Sequence, residues 1–279
     1  MNKSPESQSP KLKAIRSRWL ACTQSTGRVG KSTAAKGIIT WLRYAGVAYA
    51  AYDADGEHRT LSSRYPDDVE KFDAANSPEE FGRLLERISE DFPVTLVDFP
   101  AQATRFLLSS VEHFRMVDIF GRRGIRPTLL IFAADDPTAM ASASKTIGVF
   151  DSAADYILIE NPARFSSVDF RKTRLAKWFQ ERHAPTLVIP PVLDSTMRAW
   201  VALERKLKRY LPLDEACIHP ELSDIKQGEL QFLRDRFCAQ CEEHAEGLLP
   251  DVSLIKTRMP KRELVGARQE INPLEDPLY

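Results

Sequence analysis

Nine consecutive residues, Ser25-Thr26-Gly27-Arg28-Val29-Gly30-Lys31-Ser32-Thr33, carry the clearest chemistry in this 279-residue sequence. They follow a short apolar run and open a helical one. A loop so placed turns successive backbone N–H groups inward to make an anion-binding nest, and the helix behind it adds the positive end of its dipole. Lys31 would reach β- and γ-phosphates, Ser32 would offer a hydroxyl to Mg²⁺, and Thr33 would cap the α-phosphate. The general phosphate-loop pattern asks for glycine where Ser25 stands. The bland alternative is a strand-to-helix turn with a surface lysine; the position at the first strand-to-helix turn, and further acids downstream, favour phosphate.

The elements that must position this loop read as an alternation. Short β-rich apolar runs lie at Trp19–Thr23, Val47–Tyr52, Val94–Val97, Thr128–Ala133, Tyr156–Ile159 and Thr186–Ile189, each separated by room for a helix. Helices are expected from Gly30-Lys31 towards Tyr44, from Ser77-Pro78, after Gln102, from Asp136-Pro137, after Ser166, and over Thr196–Leu211. Serine or aspartate before proline is a helix-start signal. Strand alternating with helix in this way predicts a doubly wound α/β domain, a mostly parallel sheet with helices on both faces. We expect a flexible basic arm over 1–18, this domain over 19–212, and over 213–279 an extension whose residues 225–246 form one polar helix before an extended tail.

Composition narrows the class. With 43% hydrophobic and 28% charged residues and a mean hydropathy of −0.32, the chain is neither disordered nor an integral membrane protein. No apolar run reaches the ~18 residues of a membrane span, and the first ten residues lack the apolar core of a signal peptide, so a cytoplasmic location is expected. Four cysteines are too few and too scattered for a disulfide framework. Net charge is zero but uneven: residues 1–46 carry +8, 47–91 −7, 92–163 −2, 164–211 +7 and 212–279 −6.

The loop resembles the deviant Walker A motif of ParA/MinD-type ATPases, K-G-G-V-G-K followed by two Ser or Thr. Gly27, Val29, Gly30, Lys31 and Thr33 agree with it, and Ser32 is an allowed choice. Thr26 replaces the signature lysine that reaches across a dimer to the partner's nucleotide, and Arg28 replaces the second glycine. In lacking that lysine the loop looks closest to plasmid stability proteins of the StbB type. The likeness covers about residues 19–200. Asp53-Ala54-Asp55, continuing to Leu61, is similar to the family's D-x-D segment, which implies Asp55 as the residue orienting the attacking water and Asp53 as an acid near the metal. Leu96-Val97-Asp98-Phe99-Pro100-Ala101 resembles the strand ending in D-x-P-A, which implies that Asp98 holds Mg²⁺ through a water. Asn161 resembles the asparagine that contacts the base, and Pro190 lies in the segment lining the base's other side. Arg28 either supplies a replacement charge to the phosphates or points to solvent.

The basic stretch 164–211 places Arg198, Arg205 and Arg209 at spacings of seven and four, on one face of the helix beginning at Thr196. Such a stripe would neutralise DNA phosphates without reading sequence, or would be a solvated face. Cys238-Ala239-Gln240-Cys241 with His244 offers three metal-ligand types where zinc takes four, so a structural thiol pair is expected. Trp19, Trp41, Trp178 and Trp200 suit core packing. The acidic, proline-broken C-terminal residues argue against a membrane-binding amphipathic helix.

What the resemblance implies is an ATPase that binds ATP with Mg²⁺ and acts as a switch in plasmid or chromosome partition, stability or conjugative DNA transfer. Hydrolysis is expected to be slow because Thr26 stands at the trans-lysine position. Its implied partners are non-specific DNA through 164–211, a partner protein, and a second copy in an ATP-dependent homodimer. Two other classes fit the sequence: a dethiobiotin-synthetase-like ligase with a metabolite pocket, and a nucleotide-gated scaffold with no turnover.

Overall fold

Seven strands lie side by side in one sheet, every pairing parallel. The computed structural model describes residues 14–27, 29–55, 60–72, 78–89, 91–101, 103–163 and 167–251. The strands are β1 (Ser17–Thr23), β2 (Tyr49–Asp53), β3 (Val69–Lys71), β4 (Val94–Asp98), β5 (Ile125–Phe132), β6 (Asp155–Glu160) and β7 (Thr186–Val188), in the order β3-β2-β4-β1-β5-β6-β7. The helices among these residues are α1 (Lys31–Tyr44), α2 (Thr60–Arg64), α3 (Pro78–Arg87), α4 (Ala103–His113), α5 (Met116–Arg123), α6 (Pro137–Phe150), α7 (Ser167–Arg171), α8 (Arg174–Glu181), α9 (Asp194–Leu207), α10 (Leu213–Ala216), α11 (Asp224–Glu243) and α12 (Ala245–Leu248).

The sheet is buried on both faces, which is why its strands read as continuous apolar runs. Alternate residues of β1 serve opposite cores. Leu20 and Cys22 join the cluster under α1, α2 and α9–α12, whereas Trp19 and Ala21 join the one under α3–α8. Trp19 is fully buried and meets Phe120 edge-on at 5.3 Å between ring centres. A buried side chain of this size contributes roughly 2–3 kcal/mol by area removed from water. The doubly wound α/β expectation is thus met, and parallel strands place all seven carboxyl ends along one edge.

Four local readings are corrected. β3 was not visible as an apolar run because Glu70 and Lys71 are exposed, leaving Val69 alone to mark an edge strand. Ser17 and Arg18, read as the end of the arm, belong to β1. The helix after Ser166 is two helices, with Thr173 capping the second by accepting the Ala176 N–H at 3.1 Å. The Thr196 helix begins at Asp194 and ends at Leu207, where Lys208 turns left-handed at φ 53°. Arg209 therefore lies past the helix and bonds Glu215 at 2.8 Å, so no continuous stripe of Arg198, Arg205 and Arg209 exists.

Residues 213–248 pack into the α1 core. α11 is polar in composition, yet Leu230, Leu233, Phe237 and Cys241 repeat at helical spacing and are buried. A Cβ on Gly37 of α1 would stand 2.5 Å from the Phe237 ring, so the two helices meet at that glycine. At the opposite end, buried Arg18 donates from Nε to the Leu249 carbonyl at 2.9 Å and from Nη2 to that of Glu246 at 2.6 Å. Its Nη1 pairs with Asp155. The tail beyond Asp251, like residues 1–13, lies outside the described residues.

Candidate functional site

The loop joining β1 to α1 turns on Gly30, whose backbone is left-handed at φ 109°. A Cβ there would lie 2.7 Å from Asn161 Nδ2 and 2.9 Å from Ile189 Cδ1, so both the conformation and the close approach require glycine. Asn161 Nδ2 donates to the Val29 carbonyl at 3.2 Å, fastening the end of β6 to the loop. On the other side Gln24 braces it. Its Nε2 donates to the Phe132 carbonyl, and its Oε1 accepts the Ser25 N–H, both at 2.9 Å.

Lys31, the first residue of α1, is buried and folds back over the loop. Its Nζ donates to the Thr26 carbonyl at 3.0 Å and the Gln24 carbonyl at 3.4 Å. Burial lowers its pKa, opposed by the nearby charges of Asp98 and, more weakly, Asp55. Two neutral carbonyls balance this ammonium only partially, and an incoming phosphate oxygen would complete the pairing.

Two acids end neighbouring strands, Asp53 on β2 and Asp98 on β4, directly paired in the sheet register. Their environments differ. Burial pushes the Asp98 carboxyl up to about 7, the charge of Asp53 adds to this, and a hydrogen bond from Ser32 with the charge of Lys31 opposes it. Its buried Oδ1 has no hydrogen-bond partner among the described residues. An orphaned carboxylate oxygen beside a serine hydroxyl is hard-oxygen donor chemistry that fits Mg²⁺. Asp53 is already committed. Its Oδ1 accepts the Asp55 N–H at 3.2 Å, and its Oδ2 accepts Leu61 N–H at 3.0 Å, Ser62 N–H at 2.8 Å and Ser62 Oγ–H at 3.0 Å. In this structure it ties down the start of α2, so of the two acids Asp98 is the one with an oxygen left over for a cation. No group of three or more His, Cys, Asp or Glu side chains among the described residues is arranged to hold a metal. Asp55 is half-buried near Lys31. Arg28 and residues 56–59 lie outside the described residues.

Asn161 and Pro190 line a cleft of about 270 Å³ together with exposed Thr33. The structure therefore gathers Val29, Gly30, Lys31, Ser32, Thr33, Asp98, Asn161 and Pro190 at the carboxyl ends of β1, β4, β6 and β7. Gly27 stands exposed on the loop. Two contributors escaped sequence reasoning. Asp136 accepts the Thr26 hydroxyl at 2.8 Å through Oδ2 and caps α6 through Oδ1, which takes the Thr138 N–H at 3.0 Å. Lys36 lines the cleft one turn beyond Thr33, and its i+3 spacing on α1 was the available signal.

The basic stretch is partly neutralised. Lys172 pairs with Asp169, Lys177 with Glu181 and Lys206 with Glu221, while Arg182 lies over Trp178 at 4.2 Å. Arg198 and Arg205 remain exposed on α9. Cys238 and Cys241 are free thiols on α11; burial pushes Cys238 up to about 11 and Cys241 well above its ordinary value. No described helix is long and apolar enough to cross a membrane.

No family model matches the chain, and no curated protein matches it. Among solved structures it is similar to the MinD cell division protein of Aquifex aeolicus, with a TM-score of 0.48 and 14% identity over 82% of this chain and 97% of that one. The MinC:MinD complex of the same organism gives 0.47 and 15%, covering 82% and 96%. A nucleotide-binding protein in complex with ADP from Archaeoglobus fulgidus gives 0.42 and 15%, covering 63% and 82%. At such identities the likeness is one of chain path alone.

Proposed function

We propose that this chain is a nucleotide switch of the ParA/MinD type, binding ATP with Mg²⁺ and serving plasmid or chromosome partition, stability or conjugative DNA transfer. The observation that carries the reading is the orphaned Oδ1 of buried Asp98 beside Ser32 and Lys31, at the start of a helix entered through a left-handed glycine. Gly27 to Gly30 and the α1 N-terminus receive the phosphates, and Lys31 swings from its own loop's carbonyls to the β- and γ-oxygens. Ser32 and Asp98 would hold the metal, which supplies charge neutralisation when bound. Thr33 caps the α-phosphate, and Asn161 and Pro190 flank the base. Asp55 orients water.

Turnover is slow in this reading. Where the resemblance expects a lysine reaching across a dimer, Thr26 spends its hydroxyl on Asp136. The same bond favours a second reading, a nucleotide-gated scaffold with no hydrolysis, and measured turnover separates the two. DNA contact would fall to exposed Arg198 and Arg205. The decisive experiment is sizing and DNA binding of the full chain with ADP and with a non-hydrolysable ATP analogue. An analogue-dependent dimer on DNA, weakened by salt and by Arg198→Glu with Arg205→Glu, supports the switch; a monomer indifferent to nucleotide overturns it.

A further inference from the structure

The cleft beside Asn161 continues along α1 past the phosphate loop. Thr33, Lys36 and Gly37 stand at i, i+3 and i+4 and all line it. Lys36 sits ~4.5 Å further along the helix axis than Thr33. It shares that end with Arg64 of α2 and Trp200 of α9. Arg64 is held firmly: Nε and Nη2 donate to Glu204 at 2.9 and 2.8 Å, and the guanidinium lies 5.4 Å from the Trp200 ring centre and 5.0 Å from that of Tyr210. Glu204 is itself buried and also accepts the Leu211 N–H at 3.1 Å. Its capacity is spent on Arg64 and the backbone.

Lys36 has no such partner. Among the described residues its ammonium makes no hydrogen bond and no salt bridge, and the side chain is only partly exposed. Burial, with the adjacent charge of Arg64, pushes it down to about 7. Among the described residues Arg64 Nη1 makes no hydrogen bond. Lys36 and Arg64 thus stand together at the end of a cleft whose wall there includes Trp200, Leu213, Leu233 and Phe237; Asp194 also lines the cleft, and the charges of Asp98, Glu204 and Asp53 act on Lys36 through space without bonding its ammonium. A partly buried ammonium without a hydrogen-bond partner carries a desolvation cost that a bound anion would offset.

We propose that this end of the cleft binds a small organic anion, a carboxylate on an aromatic or aliphatic body. The carboxylate lies between Lys36 Nζ and Arg64 Nη1, and the body lies against Trp200 and Phe237. The whole cleft, the Asn161 and Pro190 walls included, has a volume of about 270 Å³, so it admits one such molecule when no base occupies it. The site uses neither Lys31, Ser32 nor Asp98, so it does not depend on the phosphate loop holding nucleotide.

The test is calorimetric titration of the full chain with 2-naphthoate and with its neutral isostere 2-naphthamide. Naphthoate is expected to bind one-to-one and the amide about tenfold more weakly. Lys36→Met should weaken naphthoate about tenfold, and Lys36→Arg should restore it to within about threefold. Saturating pyrophosphate, an occupant of the phosphate loop, should leave naphthoate bound. Equal binding of the two probes by the unaltered protein overturns the proposal without recourse to any variant. So does unchanged affinity in Lys36→Met, or displacement by pyrophosphate.

Discussion

Asn161 donates its side-chain amide to the carbonyl of Val29 at 3.2 Å, across 132 residues of sequence. That one bond joins the wall proposed for the base to the loop proposed for the phosphates, with Gly30 pressed between them.

Asn161→Ala should lower nucleotide affinity about tenfold and cost ~1 kcal/mol of stability, the ordinary worth of a buried hydrogen bond. Gly30→Ala should be worse, on the order of 2 kcal/mol or more, because it adds a Cβ to a left-handed residue and drives it into Asn161 and Ile189. Urea denaturation and titration with labelled ATP measure both. A fully stable Gly30→Ala protein would contradict the packing described.

Lys31→Ala is expected to abolish the rise in melting temperature that Mg·ATP gives the unaltered protein, since ligand binding to the native state is the source of that rise. Among the described residues the ammonium of Lys31 donates only to the Thr26 and Gln24 carbonyls, so the free protein should lose little stability. An undiminished ATP-dependent rise would remove Lys31 from the site.

The Asp98 carboxyl, raised from 3.8 to about 7, disfavours its own charge in the fold. Below about pH 4 both folded and unfolded states are protonated and the cost is absent. It grows as pH rises and is complete above about 7. Asp98→Asn should therefore be more stable than the unaltered protein above neutrality and converge with it in acid. The same variant should weaken Mg²⁺-dependent nucleotide binding. Equal stability of the two proteins at pH 8 would contradict the burial of that charge.

Lys36 behaves in the mirror sense. Its ammonium, lowered from 10.5 to about 7, faces Arg64, Glu204, Asp53 and Asp98. Below about pH 7 the charge is forced on the folded state and the cost is complete; it fades as pH approaches the unfolded value. Lys36→Met should stabilise the unliganded protein on the order of 2 kcal/mol at pH 7, with the gain shrinking towards pH 10. Thermal denaturation across that range reads it out, and a gain that is constant with pH would argue for better packing alone.

What the sequence disclosed follows from where each interaction lies along it. Strands buried on both faces announce themselves as apolar runs, whereas β3, with Glu70 and Lys71 exposed, does not. The phosphate loop was legible because its chemistry is contiguous. Asn161, Pro190 and Asp98 were marked by the resemblance, and the fold gathers them at one sheet edge. The bond from Thr26 to Asp136 spans 110 residues and that from Arg64 to Glu204 spans 140, and neither has a local pattern. Asp53 shows the reverse failing. The resemblance placed it near a metal, but the same carboxylate also suits the start of a helix, and only packing distinguishes the uses.

Arg18 sits near the start of the central strand, and the carbonyls it holds, those of Glu246 and Leu249, belong to the last described turn. Nearby, the Ile15 N–H reaches Asp251 Oδ2 at 2.9 Å and the Asp251 N–H returns to Ile15 at 3.2 Å. During synthesis the first strand leaves the ribosome long before these partners exist. Its guanidinium must wait through the translation of more than two hundred residues. Its hydrogen bonds can be completed only when the C-terminal helices have emerged, so whatever forms earlier lacks this latch.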